Sequence, residues 1–519
     1  LTLVVGLVTA ALVAGAAHGA QKPLADKQVL RVGLEAVDVP SLDPHFITTS
    51  PQFPITKDIF NSLVRYKAGR VGTEEIEPDL AESWQVSPDG LVWTFNLRKG
   101  VKWHKGYGEF TAEDVKFSLD RVRSPESGTP WTNRYAGIAK IEAPDKSTVR
   151  VTLSKPDPFF LNWVADNQGG YIISREAFHR LKGDFKVQPI GTGPFVFQEY
   201  RPKERVVVVR NDEYFRGKPT LERVEFLFMP SFSTRELALR KGDIHLMRGK
   251  REQGWVERIR KEGIVVDAVE VSSTSLLHFN TTQKPFDDLR VRKAIAHAIN
   301  KEELLTYAGK AVSEMQYSPL PHTQFGGLKE GIPQYAHDPK RAKELLAEAG
   351  YPTGFAVSTM ITEREDYRTH MEVIQEQLRR VGIKLDLKVV DHSTYHTRSR
   401  EGVNPLVLYL TAPFPAADIL LTQFFHSRAI VGTPTGMTNF SHYNKIDDII
   451  DKSRVEMNPD KQKALYHEAQ RRIMEDLPAY PTILRKIVLA RLPYVDLGYD
   501  MQATIMFHYI HENAKLLKP

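Results

Sequence analysis

Not one of the 519 residues is a cysteine. The chain can hold no disulfide, no thiolate metal site and no cysteine nucleophile, and it offers no lipobox cysteine for a lipid anchor. Stability must therefore come from buried cores, and at roughly 100–200 residues per domain the length allows two to four of them. A hydrophobic content of 41% with 26% charged residues fits globular packing and argues against global disorder, collagen or a multi-span membrane protein. The net charge of +6 is too dilute over this length to imply nucleic acid, and no run of five or more Lys or Arg occurs.

Residues 1–20 contain no Asp, Glu, Lys or Arg, and the chain turns polar at once with Gln21, Lys22 and Asp26. Ala17, Gly19 and Ala20 are small residues of the kind signal peptidase needs. A spanning helix needs about 20 apolar residues with basic flanks. The segment is expected to be a cleaved secretory signal, begun upstream of Leu1 because it lacks Met and a basic leader. The mature protein is then expected to start near Ala20 or Gln21, free in a periplasm without a lipid anchor.

Short strand and helix signals alternate beyond it, which predicts an α/β fold with mixed sheets. Residues 29–34 read as the first strand. Pro88-Asp89-Gly90 is a hairpin turn between residues 83–86 and 91–98, with Leu91, Trp93, Phe95 and Leu97 on one face. Thr111-Ala112-Glu113-Asp114 reads as a capping box opening a helix through Val115, Leu119 and Val122. Residues 206–209 read as a buried strand, and 235–240 as a helix ended by Gly242. In a helix over 288–300, Val291, Ile295 and Ala298 share one face while Arg290, Arg292 and Lys293 point elsewhere. Asp338-Pro339 caps a helix that stops at Gly350. Further helices are expected over 372–380 and 460–475, with a strand over 383–390.

The sequence lacks a GxxxxGK[ST] loop, a GxGxxG, a GxSxG elbow and an HExxH pair. Gly191-Thr192-Gly193 runs into Pro194, whose missing N–H removes a phosphate donor, so it reads as a turn. Asp287-Asp288 and Asp447-Asp448 sit at helix starts, where they complement the macrodipole. His392 and His396 have i, i+4 spacing, but they follow a strand, and only a helix would let them share a metal. No catalytic constellation is found, which fits a protein that binds without converting, and no cofactor or metal is expected.

Ala81-Glu82-Ser83-Trp84 through Pro88-Asp89-Gly90, and then Trp93 through Trp103, resemble the signature of family 5 extracellular solute-binding proteins. These are periplasmic dipeptide, oligopeptide, nickel and opine receptors of ABC importers. Phe110 through Ser118, Gly191-Thr192-Gly193-Pro194-Phe195, Asn211 through Pro219, Phe286-Asp287-Asp288 and Pro478-Ala479-Tyr480-Pro481 continue the resemblance in order. It implies a class II periplasmic-binding fold of two hinged lobes. Lobe I would comprise residues 21–280, with an extra subdomain at about 68–210, and lobe II residues 281–479. Residues 480–519 would return to lobe I, and Phe279-Asn280-Thr281 would mark a hinge crossing. It also implies a monomer that delivers a peptide or peptide-like solute to importer permease subunits.

By the same resemblance, Thr48 and Thr49 would offer polar groups from lobe I, and Arg364 a guanidinium for a ligand carboxylate. His392 would take the place of an aromatic cleft residue. The following loop, from Tyr409 to Asp418, lacks the family's tryptophan and the carboxylate that holds a ligand amine, with Asp418 close by but late. The ligand is therefore expected to depend on an anionic group more than on a free amine. An opine-like or other anionic solute is the alternative to a simple peptide, and a nickel or metal-chelate receptor the further alternative.

Overall fold

The computed structural model describes residues 22–70, 75–165, 168–269, 274–411, 416–503 and 511–519; the expected signal segment and the loop centre at 412–415 lie outside them. Val29–Leu34 alternates apolar residues, and Leu30, Val32 and Leu34 are buried. It lies inside a mixed seven-stranded sheet, parallel to Arg223–Phe228 on one side and to Leu246–Arg248 on the other. The sheet continues antiparallel through Arg205–Arg210 to Phe195–Arg201, and at its other end through Ile487–Arg491 to Val265–Val269. Val206, Val207 and Val208 are all buried, as a β-branched run covered on both faces should be.

A separate four-stranded antiparallel sheet is built from residues between 81 and 153. Its hairpin turns at Gly90, which adopts φ 72°, a left-handed conformation that glycine takes without strain. Trp93, Phe95 and Leu97 are buried and Asn96 is exposed, the expected period of two. Thr111 and Asp114 form the capping box of Ala112–Arg123, whose Val115, Leu119 and Val122 are buried. The strands at 195–210 belong to the seven-stranded sheet and not to this smaller one.

Thr274–Phe279 is the centre of a further sheet, flanked antiparallel by Leu406–Thr411 and Ala479–Pro481. Beside it, Ala356–Thr362 and Lys384–Val390 pair in parallel. The chain thus passes from the large sheet to this second body between residues 269 and 274, ahead of Phe279-Asn280-Thr281. It returns through Ile483–Arg485 to Ile487–Arg491. The last residues fold back on the large-sheet side: Glu512 receives both terminal nitrogens of the buried Arg65, at 2.7 and 2.8 Å, and His511 meets Asp58 at 2.8 Å.

Three local readings change. Arg292, on Leu289–Ala298, is buried, because its guanidinium donates to the backbone oxygens of Phe286, Asp476 and Leu477 and so caps the end of Pro459–Asp476. The helix expected at 372–380 is longer, Glu365–Arg379, with Arg364 as its N-cap residue. His392–Arg400 is helical, because the Asp391 carboxylate accepts from the Thr394 N–H at 2.9 Å and starts a helix directly after the strand.

Candidate functional site

A cavity of about 680 Å³ opens between the two bodies. Its large-sheet wall is the segment following Leu246–Arg248, above all Arg248, Lys250 and Arg251. Opposite stand the first turns of Glu365–Arg379 and the end of Lys301–Ala308, while Ile483 and Arg485 of the returning strand form the back. The volume lies within the range of small-molecule sites, about 300–1,000 Å³.

The lining is strongly cationic. Arg235, Arg248, Lys250, Arg251, Arg364 and Arg485 face it, against the four carboxylates of Glu35, Glu252, Glu365 and Asp366. Most of these groups have partners. Arg235 donates to the carbonyl oxygens of Met229 and Pro230. Arg248 reaches Glu35 at 3.3 Å, Lys250 reaches Glu252 at 3.4 Å, and Arg364 donates to Asp366 at 3.0 Å. Arg485 donates to the backbone oxygen of Arg251 at 3.2 Å. Arg251 differs: its buried Nε has no partner and its guanidinium forms no ion pair among the described residues. Burial, and then the charges of Arg248 and Arg485, push its pKa down to about 10. His370, on Glu365–Arg379, also lines the cavity. It is buried, both its ring nitrogens lack a partner, and burial with the nearby Arg485 charge lowers its pKa to about 3.

Among the residues singled out from sequence, Arg364 lines this cavity, and His392 stands next to it, Nε2 to Nη1 at 3.4 Å. His396 Nε2 lies 3.1 Å from His392 Nε2, and the His396 ring meets Tyr409 edge to face at 5.4 Å. The two imidazoles do share a helix face, contrary to the sequence expectation. The nitrogens of His392 are satisfied without a metal, while His396 Nδ1 is buried without a partner. Thr362 Oγ donates to Glu363, leaving its oxygen to accept from His392 Nδ1; His392 Nε2 then accepts from both Arg364 and His396. A guanidinium at that distance also opposes a cation. Among the described residues no group of three or more His, Cys, Asp or Glu could hold a metal ion.

Thr48 and Thr49 are exposed and do not line the cavity. Both backbone N–H groups donate to Gln52 Oε1 at 3.1 Å, which organises the entry to Gln52–Ile59. The neighbouring Ser50 and Pro51 border a smaller hollow that shares Glu35 and Arg248 with the main cavity. Asp418 sits apart in the first turn of Ala417–Phe425, where it accepts from Thr422 at 3.1 Å and pairs with Arg454 at 3.4 Å. Burial raises its pKa to about 6, against the opposing pull of Arg454. Arg251, Arg485 and His370 were not singled out from sequence. The one local signal was the density of charge in Arg248-Gly249-Lys250-Arg251 just after a strand.

Among the described residues no helix is long and apolar enough to cross a membrane. Comparison with known proteins matches residues 75–432 to the family described as bacterial extracellular solute-binding proteins, family 5. The di/tripeptide-binding protein 2 of Pseudomonas aeruginosa (strain UCBPP-PA14) is 31% identical over 449 residues, 82% of this chain and 83% of that one. A solved structure of the binding protein MoaA from A. tumefaciens R10, in complex with mannopinic acid, is 38% identical. It covers 95% of this chain and 100% of that one, with a TM-score of 0.75. The periplasmic binding protein DppA of Helicobacter pylori, in complex with the peptide STSA, is 31% identical with a TM-score of 0.73, covering 96% and 99%.

Proposed function

The chain belongs to family 5 of the bacterial extracellular solute-binding proteins, and on that premise we propose that it is the monomeric periplasmic receptor of an ABC importer. It captures a peptide-like or opine-like solute through an anionic group and hands it to the permease. The observation that carries this reading is the arginine-lined cavity between the large sheet and the second body. Fixed guanidiniums offer paired N–H donors to a carboxylate or phosphate, an arrangement that a neutral or cationic solute would not use. The 38% identical protein solved with mannopinic acid supports an opine-like solute beside simple peptides.

In this proposal residues 22–269 and the segment from about 487 onward form one lobe, carrying the four-stranded insert at 81–153. Residues 274–485 form the other, since Ile483–Arg485 pairs with Ser313–Met315. The two passages between the sheets act as the hinge. A ligand that touches both walls favours closure, so occupancy is read by the importer as shape. X-ray scattering is expected to give a smaller radius of gyration at saturating ligand; an unchanged radius would contradict closure.

The test of ligand class is calorimetry with a peptide, its N-acetyl form and its C-terminal amide. Amidation is expected to weaken binding by about 100-fold or more, because a guanidinium enclosed on closure loses its charged partner. Acetylation is expected to cost less than about tenfold, since Asp418 is already engaged by Arg454. The opposite order would make an amine the anchoring group and overturn the reading.

A further inference from the structure

The cleft holds six cationic side chains against four carboxylates, and one of the six, Arg251, stands apart. Arg364, Arg248 and Lys250 each have a carboxylate, and Arg235 is held by carbonyls. Arg251 forms no ion pair among the described residues, and Arg485, one hydrogen bond away from its backbone, contributes a second positive charge. Beside them His370 is 6% exposed, lines the cavity and leaves both ring nitrogens without partners. A buried cation without a counter-charge is costly, and a buried imidazole without a hydrogen bond adds to that cost. One occupant satisfies the two unpartnered groups: an oxyanion placed beside Arg251, where Arg485 adds positive charge, accepting from the neutral imidazole N–H of His370.

We propose that the ligand is a dianion, with one oxyanion on Arg364 and a second, carboxylate or phosphate, on Arg251, Arg485 and His370. This deepens the solute-receptor reading and rests on it. It makes Arg251 a residue that sets specificity by counting the charges on the solute.

The experiment uses two probe pairs that differ by one anionic group, alanyl-glutamate against alanyl-glutamine and alanyl-phosphoserine against alanyl-serine, titrated calorimetrically into ligand-free protein. In at least one pair the anionic member is expected to bind about 100-fold tighter or better, and the pair that responds tells carboxylate from phosphate. Arg251→Gln is expected to shrink that ratio below about tenfold. Arg251→Lys, which keeps the charge but not the fork, is expected to give an intermediate ratio and covers the case in which the glutamine variant fails to fold. Equal affinities within both pairs, a ratio untouched by either variant, or no binding of any probe at about 1 mM would overturn the second anion site. If a probe binds without charge preference, the cleft reading survives and only the dianion falls. If Arg364→Gln changes the affinity of no bound probe, the cleft reading itself falls.

Discussion

Replacing Gly191 with alanine is expected to lower the stability of the whole domain by about 3 kcal/mol or more, a cost in the range of overpacked buried sites. A β-carbon at this position would lie 1.9 Å from the Ile59 carbonyl oxygen, with the Ile59 carbonyl carbon at 2.7 Å. The backbone cannot back away, because it is held from both directions. His104 N–H donates to Gly191 O at 2.9 Å, and Gly193 N–H donates to Ile59 O at 2.9 Å. Glycine is needed here for close approach between two stretches of main chain. Urea unfolding of the Gly191→Ala variant tests this, and a loss below about 1 kcal/mol would contradict it.

The second large effect is an acid limb in stability. His278 is fully buried on Thr274–Phe279, surrounded by Phe424, Phe425 and Phe440, and neither ring nitrogen has a partner. Burial lowers its pKa from 6.5 to about 3. His370 is lowered to about 3 as well. Both stay neutral in the folded protein down to that pH, while the unfolded chain takes up protons below about 6.5. Stability attached to these groups is therefore complete above pH 6.5 and is lost progressively as the pH falls toward 3. At pH 5 the loss is about 2 kcal/mol for each. Buried Asp58 and Asp79, whose pKa values burial raises, act in the opposite sense, because protonation suits their folded environment. His278→Leu, an apolar side chain in an aromatic cage, is expected to reduce the drop in unfolding free energy between pH 7 and pH 5 by about 2 kcal/mol. An unchanged drop in denaturant titrations would contradict this.

The elements legible in the sequence are those whose cause is local. The Gly90 hairpin, the Thr111 capping box and the Asp338-Pro339 helix start each need only a few adjacent residues, and each stands where the pattern put it. The family blocks gave the fold class for the same reason. His392–Arg400 has no apolar stripe: Tyr395 and Ser399 are its only buried residues, so periodicity is silent and only the Asp391 cap announces it. Glu365–Arg379 starts ahead of its apolar stripe, and only Glu365 and Asp366, the acidic first turn, mark that start.

The site was less legible, because its charge balance is a property of tertiary structure. Arg251, His370 and Arg485 lie more than 100 residues apart and meet only where the chain returns from the second body. Nothing near Arg251 in the sequence says that its neighbours will be arginines and that no carboxylate among the described residues will pair with it. Asp418 illustrates the converse. Its position near the expected amine anchor was visible, but its engagement by Arg454, a residue from another helix end, was not.

The most direct measurement is mass spectrometry of the small molecule released when protein purified from its native host is denatured, with wild type and Arg364→Gln compared. The account predicts close to one equivalent of a polar solute bearing at least one carboxylate or phosphate from the wild type, and little or none from the variant. A neutral or cationic solute, or an acidic one retained at the same occupancy by Arg364→Gln, would contradict it.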